Sequence, residues 1–241
     1  MMSRLIIGLS ALLLVMASCD EGRIYEDVAE FPSEGRMVNF SANVKGLKTW
    51  PDAYFVALAS FDGKSDYAVA SKKVQAPSED GGVVKTTLSN IGEDITSVEV
   101  CVVTRLGKRV LTLMTLEGEE LNASATIEMN GGNMDLSMFD IIQGMVFNTT
   151  CTACHGGSTS AAAGLFLTSD KSYDALVSQP SGKVKGNNLV EPGNAAKSVL
   201  YMTLSSDISV ENDWHYKHNH EIENTDIRSL IKSWIDNGAK K

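Results

Sequence analysis

The chain has 241 residues, of which 43% are hydrophobic and 21% are charged, and this balance is typical of a soluble protein with an apolar core. Its length allows one or two domains. The formal net charge of -9 at pH 7 argues against nucleic acid as a partner, because phosphate groups attract a basic protein surface. A basic protein partner is compatible with this charge but is not identified by it.

The first residues have the pattern of a signal peptide, which we assign to residues 1–18. Arg4 supplies the positive charge, and the apolar run from Leu5 to Met16 is too short for a membrane span of about 20 residues. The sequence Val15-Met16-Ala17-Ser18-Cys19 resembles a bacterial lipobox, which implies cleavage before Cys19 and lipidation of its sulfur. The alternative is an ordinary secretory signal with a chance cysteine. Both interpretations place the protein outside the cytoplasm, and the lipobox predicts a lipoprotein of the cell envelope, on its periplasmic face or at the cell surface.

The next two segments differ in composition. Residues 19–35 are acidic and lack a clear period, which is typical of a tether. Residues 36–130 contain short apolar or alternating runs, separated by turns such as Glu79-Asp80-Gly81-Gly82. About seven short strands of this kind predict an antiparallel β-sandwich, immunoglobulin-like or similar. This region has no histidine and no catalytic constellation, and Cys101 lies in a dense apolar run that predicts a buried, inert thiol.

The pattern changes after Asn130-Gly131-Gly132-Asn133, which we interpret as a hinge because adjacent glycines interrupt regular structure. Residues 134–241 are predicted to be helical. Apolar residues from Phe139 to Val146 fall at helical spacing, in a helix that runs into Cys151. A final helix is predicted to begin at Asn224 or Thr225 and to end at Gly238.

The sequence Cys151-Thr152-Ala153-Cys154-His155 is the attachment signature of a c-type haem. Each thiol adds to one vinyl group of the porphyrin, and His155 then supplies the proximal nitrogen to the iron. A zinc half-site is one alternative, but it needs a second ligand pair, and the remaining cysteines, Cys19 and Cys101, each stand alone. A thioredoxin-like dithiol is the other alternative. It would open a helix after a buried strand, whereas the preceding segment is predicted to be a helix.

Further short motifs follow in order along the chain. They are Cys-x-x-Cys-His-Gly at 151–156, Gly-Leu-x-Leu at 164–167, Pro-Gly at 192–193, Ser-x-Leu-Tyr at 198–201 and Trp-Ile-x-x-Gly-Ala at 234–239. Together they make residues 139–239 resemble the small cytochrome c domains of bacterial secreted and lipid-anchored proteins, of the planctomycete-type and related class I-like groups. The resemblance implies one haem c and an all-α fold. The predicted fold class is therefore two domains, an all-β antiparallel sandwich over 36–130 and a small all-α cytochrome c-like domain over 134–241.

The distal ligand of the iron departs from the family pattern, in which a methionine followed by a proline precedes the final tryptophan. This chain has no such pair there, and its three histidines outside the haem motif all lie between residues 215 and 220. We therefore predict bis-histidine ligation. His218 is the first candidate, His215 and His220 are runners-up, and Met202 or an open site is less favoured. The histidines are otherwise interpreted as a polar loop or as ligands of a second metal.

The resemblance also suggests a surrounding pocket. The carbonyl group of Pro192 is expected to accept a hydrogen bond from the second nitrogen of His155, which would orient the ring. The apolar residues predicted to line the haem are Phe147, Leu165, Leu167, Leu189, Leu200 and Trp234.

These features predict an electron carrier rather than a catalyst, with one covalent haem and a lipid anchor at Cys19. The redox partner protein is not identified by the sequence. One alternative is a haem-based sensor or peroxidase-like protein with a labile sixth ligand. Another is a β-sandwich binding module with an accessory haem domain.

Overall fold

The computed structural model describes residues 35–241, and the first half of this range is built from seven β-strands. The strands are β1 (Arg36–Lys45), β2 (Tyr54–Phe61), β3 (Ala70–Lys73), β4 (Val83–Ile91), β5 (Ser97–Thr104), β6 (Arg109–Glu117) and β7 (Thr126–Asp135). The predicted signal peptide at 1–18 and the tether up to residue 34 lie outside the described residues.

The strands form two sheets, one in the order β4-β1-β7 and one in the order β3-β2-β5-β6. All neighbours in the second sheet are antiparallel. In the first sheet β1 is antiparallel to β4 but parallel to β7, so that Val38 lies opposite both Leu88 and Ile127. The parallel pair departs from the all-antiparallel arrangement that the sequence predicted.

The alternation of side chains explains where the core lies. β1 buries every second residue, from Val38 to Val44, against the facing sheet. β5 is buried on both faces, since Val98, Val100 and Val102 join the main core while Cys101 and Val103 join a second, smaller cluster. Burial raises the pKa of the Cys101 thiol to about 12, which agrees with the prediction of an inert cysteine.

Short helices and turns follow β7, and one four-residue helix, α1 (Gly118–Leu121), precedes it. The later α-helices are α2 (Met138–Ile142), α3 (Thr152–His155), α4 (Ser172–Leu176), α5 (Val199–Ser205) and α6 (Thr225–Asp236). A π-helix occupies Gln143–Cys151 between α2 and α3, and 3₁₀ turns occupy Leu47–Thr49, Ala162–Gly164, Ala195–Lys197 and His218–His220. No helix in the range 35–241 is long and apolar enough to cross a membrane.

The predicted fold class, a β-sandwich followed by a separate all-α cytochrome c-like domain, is wrong. Residues 35–241 form one compact unit that is mostly β, and its helices are few and short. Phe40 of β1 and Leu58 of β2 belong to the same continuous apolar core as Phe139, Phe147 and Trp234 of the helices. Even after His155 the chain forms isolated β-bridges, such as Val177 with Val190.

Polar contacts also cross between the strands and the later segment. The Trp50 indole N–H donates to Leu136 O at 2.7 Å, and Asn237 Nδ2 donates to Thr49 O at 3.3 Å. An ion pair joins Lys108 Nζ to Asp226 Oδ2 at 2.6 Å. These contacts bind the two segments into one unit.

The predicted hinge at residues 130–133 lies inside β7. Ser41 pairs with Asn130 and Ala42 pairs with Gly132, so Gly131 is an extra residue in the strand. The φ of Gly132 is 63°, a left-handed conformation that glycine adopts without strain. The glycine pair therefore makes a bulge and lets the strand continue. The domain boundaries proposed at residues 18, 35, 130 and 134 stay predictions.

Candidate functional site

The Cys151–His155 motif lies at the end of a helical run that begins directly after β7. Ser137 caps this run, since its Oγ accepts a hydrogen bond from Asp140 N at 3.2 Å. The π-helix Gln143–Cys151 has wider turns than an α-helix, a feature that is frequent at functional sites. Phe139, Ile142 and Val146 are buried as the spacing predicted, whereas Met145 is exposed.

The two thiols of the motif differ in environment, and neither forms a disulfide. Cys151 is half-buried against the core, and Cys154 is exposed. Burial, aided by the negative charge of Glu221, raises the pKa of the Cys151 thiol to about 11. A reactive redox cysteine has a lowered pKa, so this environment does not favour the thioredoxin-like alternative.

The ring of His155 is oriented by a backbone carbonyl group. Its Nδ1 lies 3.1 Å from Leu165 O, and in the tautomer in which Nδ1–H donates, Nε2 keeps a free lone pair for a metal. Leu167 N donates to His155 O at 2.8 Å and holds this segment against α3. Leu165 thus has the role that the resemblance suggested for Pro192, which is exposed here. The Gly-Leu-x-Leu motif had signalled this segment but not the function of its carbonyl group.

His218 faces His155 across a short gap. The two ring centroids lie 6.4 Å apart, and the ring planes differ by 30°. Two imidazoles that bind one metal ion from opposite sides through bonds of about 2.0 Å each place their ring centroids roughly 6 Å apart. His215 and His220 are exposed. The structure therefore brings together His155 and His218, the first of the three histidines predicted as distal candidates.

Two aromatic rings meet His218 edge-on, and the sequence reasoning assigned a role to neither. Trp214 lies 5.8 Å from His218 between centroids, with the planes at 77°, and Tyr216 lies 5.2 Å away at 81°. Burial lowers the pKa of His218, and the neighbouring His155 lowers it further. The ring is therefore kept neutral, which is the form that binds a metal.

The segment around His218 contains buried polar atoms without partners. They are Trp214 Nε1, His218 Nδ1 and Asn219 Oδ1, three of the four such side-chain atoms in the range 35–241. An unpaired buried polar group costs about 1–3 kcal/mol. Trp214 contacts the His218 ring, which in turn faces His155. The two thiols and the two facing imidazoles are side chains of the kind that hold a haem c.

Within residues 35–241, no three or more His, Cys, Asp or Glu side chains are grouped so as to hold a metal ion.

The other predicted site residues occupy different depths. Met202 of α5 is half-buried, and its Sδ accepts a hydrogen bond from Asn187 Nδ2 at 3.8 Å. Phe147, Leu167 and Trp234 lie in the core, and the Trp234 N–H donates to Lys240 O at 2.8 Å. Leu165, Leu189 and Leu200 are half-buried at the margin of the core.

No protein-family model matches the chain, and no curated protein matches it. Among solved structures, the chain is similar to Kuenenia stuttgartiensis hydrazine synthase, with 12% identity and a TM-score of 0.27 over 89% of this chain. The match spans 44% of that chain, which is less than half of its length. A likeness at this TM-score carries no argument about fold or function.

Proposed function

We propose that this protein is a c-type haem electron carrier held at the bacterial cell envelope by a lipid on Cys19. Cys151 and Cys154 would bind the haem covalently, with His155 as the proximal and His218 as the distal ligand. The observation that carries the proposal is the opposition of His155 and His218 at 6.4 Å, directly beside the paired thiols. The haem, when bound, supplies an iron that cycles between its ferrous and ferric states.

The residues of the chain would hold and tune this group. The thiols would add across the vinyl groups and fix the haem beside α3, while Leu165 O would orient the His155 ring. A histidine in place of methionine at the distal position gives a lower reduction potential. The formal net charge of -9 suits a redox partner with a basic surface.

A second candidate function is a haem-based sensor or peroxidase-like protein with a labile sixth ligand. It is favoured by the position of His218, which lies in a three-residue 3₁₀ turn rather than in a long helix. A ligand on a short turn is displaced more readily than one on a packed helix.

The first test is a denaturing gel stained for haem. The full chain and a Cys151→Ala/Cys154→Ala version would be expressed in a host that attaches haem c. We expect haem to stay with the unfolded wild-type band and to be absent from the double variant. A wild-type band without haem would refute the proposal and return the two cysteines to the dithiol or metal alternatives.

The same material distinguishes the distal candidates. We expect His218→Ala to convert a six-coordinate low-spin spectrum into one that binds carbon monoxide promptly. His215→Ala and His220→Ala serve as matched controls, since both side chains are exposed, and they should keep the wild-type spectrum. Prompt binding of carbon monoxide by the wild-type protein would favour the sensor or peroxidase-like function.

A further inference from the structure

The turn that carries His218 is closed by a side-chain hydrogen bond. The Tyr216 hydroxyl group donates to Glu221 Oε1, so residues on either side of the 3₁₀ turn His218–His220 are joined. Glu221 N also donates to His218 O at 3.0 Å. The turn is therefore fixed both by its backbone and by the Tyr216–Glu221 pair.

The position of Tyr216 is not explained by core packing. Its side chain is 53% exposed, so little of it is buried in the core. Its contacts are instead with the turn, since the ring meets the His218 ring edge-on at 5.2 Å and the hydroxyl group binds Glu221. A tyrosine placed in this way restricts rotation of the histidine ring.

The start of the same segment is anchored independently. Trp214 N donates to Ser209 O at 2.8 Å, and Lys217 Nζ forms an ion pair with Asp207 Oδ2 at 2.7 Å. The backbone on the N-terminal side of His218 is thus held in place. The remaining freedom is that of the imidazole, and Trp214 and Tyr216 flank it.

We propose that Tyr216, held by Glu221, is a positioning residue that keeps His218 opposite His155 and closes the sixth coordination position to external ligands. This inference rests on the proposed function. Tyr216 would then be the side chain that makes this site an electron carrier rather than a ligand-binding haem protein.

The test compares three variants of the full haem-loaded chain. Tyr216→Ala removes both the ring and the hydroxyl group, and Tyr216→Phe removes the hydroxyl group alone. Tyr67→Ala is a matched control, because Tyr67 is 50% exposed and lies among the strands. The measurements are the rate of cyanide binding to the ferric protein, the low-spin electron paramagnetic resonance signal and the thermal unfolding midpoint.

We expect Tyr216→Ala to bind cyanide at least about tenfold faster than the wild type, as loss of an aromatic contact and its hydrogen bond allows. Tyr216→Phe should be intermediate and should broaden the low-spin signal, while Tyr67→Ala should match the wild type. The inference is wrong if neither Tyr216→Ala nor Tyr216→Phe binds cyanide faster than the wild type. If Tyr216→Ala does not fold, the rate for Tyr216→Phe alone decides, and a wild-type rate overturns the inference. Absence of covalent haem from the wild type would instead refute the proposed function.

Discussion

Trp234 offers a direct test of whether the strands and the later helices share one core. Its side chain is 1% exposed, and its ring packs on Phe139 with centroids 5.3 Å apart. The change to alanine removes a large part of the apolar contact between α6 and the rest of the unit. If the core is shared, this change should destabilise the strands as well as the helices.

The expected magnitude follows from the size of the side chain removed. A buried Trp→Ala change costs about 3–5 kcal/mol in the free energy of unfolding. For a chain of this size, each kcal/mol lowers the unfolding midpoint by about 2–4 °C, so the midpoint should fall by roughly 6–20 °C.

The assay combines thermal unfolding, followed by far-UV circular dichroism, with hydrogen exchange of the backbone amides in β1 and β5. We expect one transition at a lower temperature and faster exchange in both strands. Leu106→Ala is the control, since Leu106 is 83% exposed, and its effect should stay within about 0.5 kcal/mol. Wild-type exchange in β1 and β5 of the Trp234→Ala variant would show that the segments unfold independently and that the reasoning is wrong.

Two further changes test single contacts by chemical denaturation. Glu99→Ala should lower the free energy of unfolding by about 1–3 kcal/mol, because Glu99 is 3% exposed and its loss leaves the hydroxyl groups of Ser97 and Thr112 without their acceptor. Asp66→Ala, at the exposed end of Arg109, should cost below about 1 kcal/mol. Comparable losses in the two variants would contradict this. Gly46→Ala should lower the free energy of unfolding more than Gly107→Ala does. Both glycines have φ near 80°, but only at Gly46 would an added Cβ overlap another residue, Ser137, the N-cap of α2. Equal losses would show that backbone strain alone matters.

The sequence located individual elements well where the signal is local. The dense apolar run at 97–103 became β5, and the predicted cap of the final helix is present, since the Asn224 side chain accepts from Asp226 N. The pairing of strands could not be read in the same way. β1 and β7 lie far apart in sequence, and either direction of pairing satisfies their alternation.

The fold class was wrong for a related reason. Helical spacing from Phe139 onward predicts helices correctly, but it does not show which surface their apolar faces meet. The resemblance supplied a self-contained all-α domain, whereas Trp234 and Phe147 pack in the same core as Phe40 of β1. The Gly131-Gly132 pair was predicted to be a hinge, but adjacent glycines also occur in β-bulges, and here they form a bulge inside β7.

At the site, the sequence indicates which side chains to examine but not what surrounds them. The spacing of Cys151, Cys154 and His155 is that of a haem-attachment motif, so the haem prediction comes from the sequence alone and stays a prediction. The choice of Leu165 O rather than Pro192 O depends on how a loop folds back onto α3. The positioning role proposed for Tyr216 depends on its contact with the His218 ring, which the sequence does not show.

The parallel pairing of β1 and β7 has a consequence for the proposed carrier. β1 begins at Arg36, next to the tether, and its ten residues span roughly 30 Å. Because β7 runs in the same direction, Asp135 pairs with Lys45, and the helical run toward Cys151 starts at the far end of β1. An antiparallel β7 would have started that run at the Arg36 end. If the proposed haem is bound at Cys151 and Cys154, the segment that would bind it therefore follows from the end of β1 opposite its first residue, Arg36.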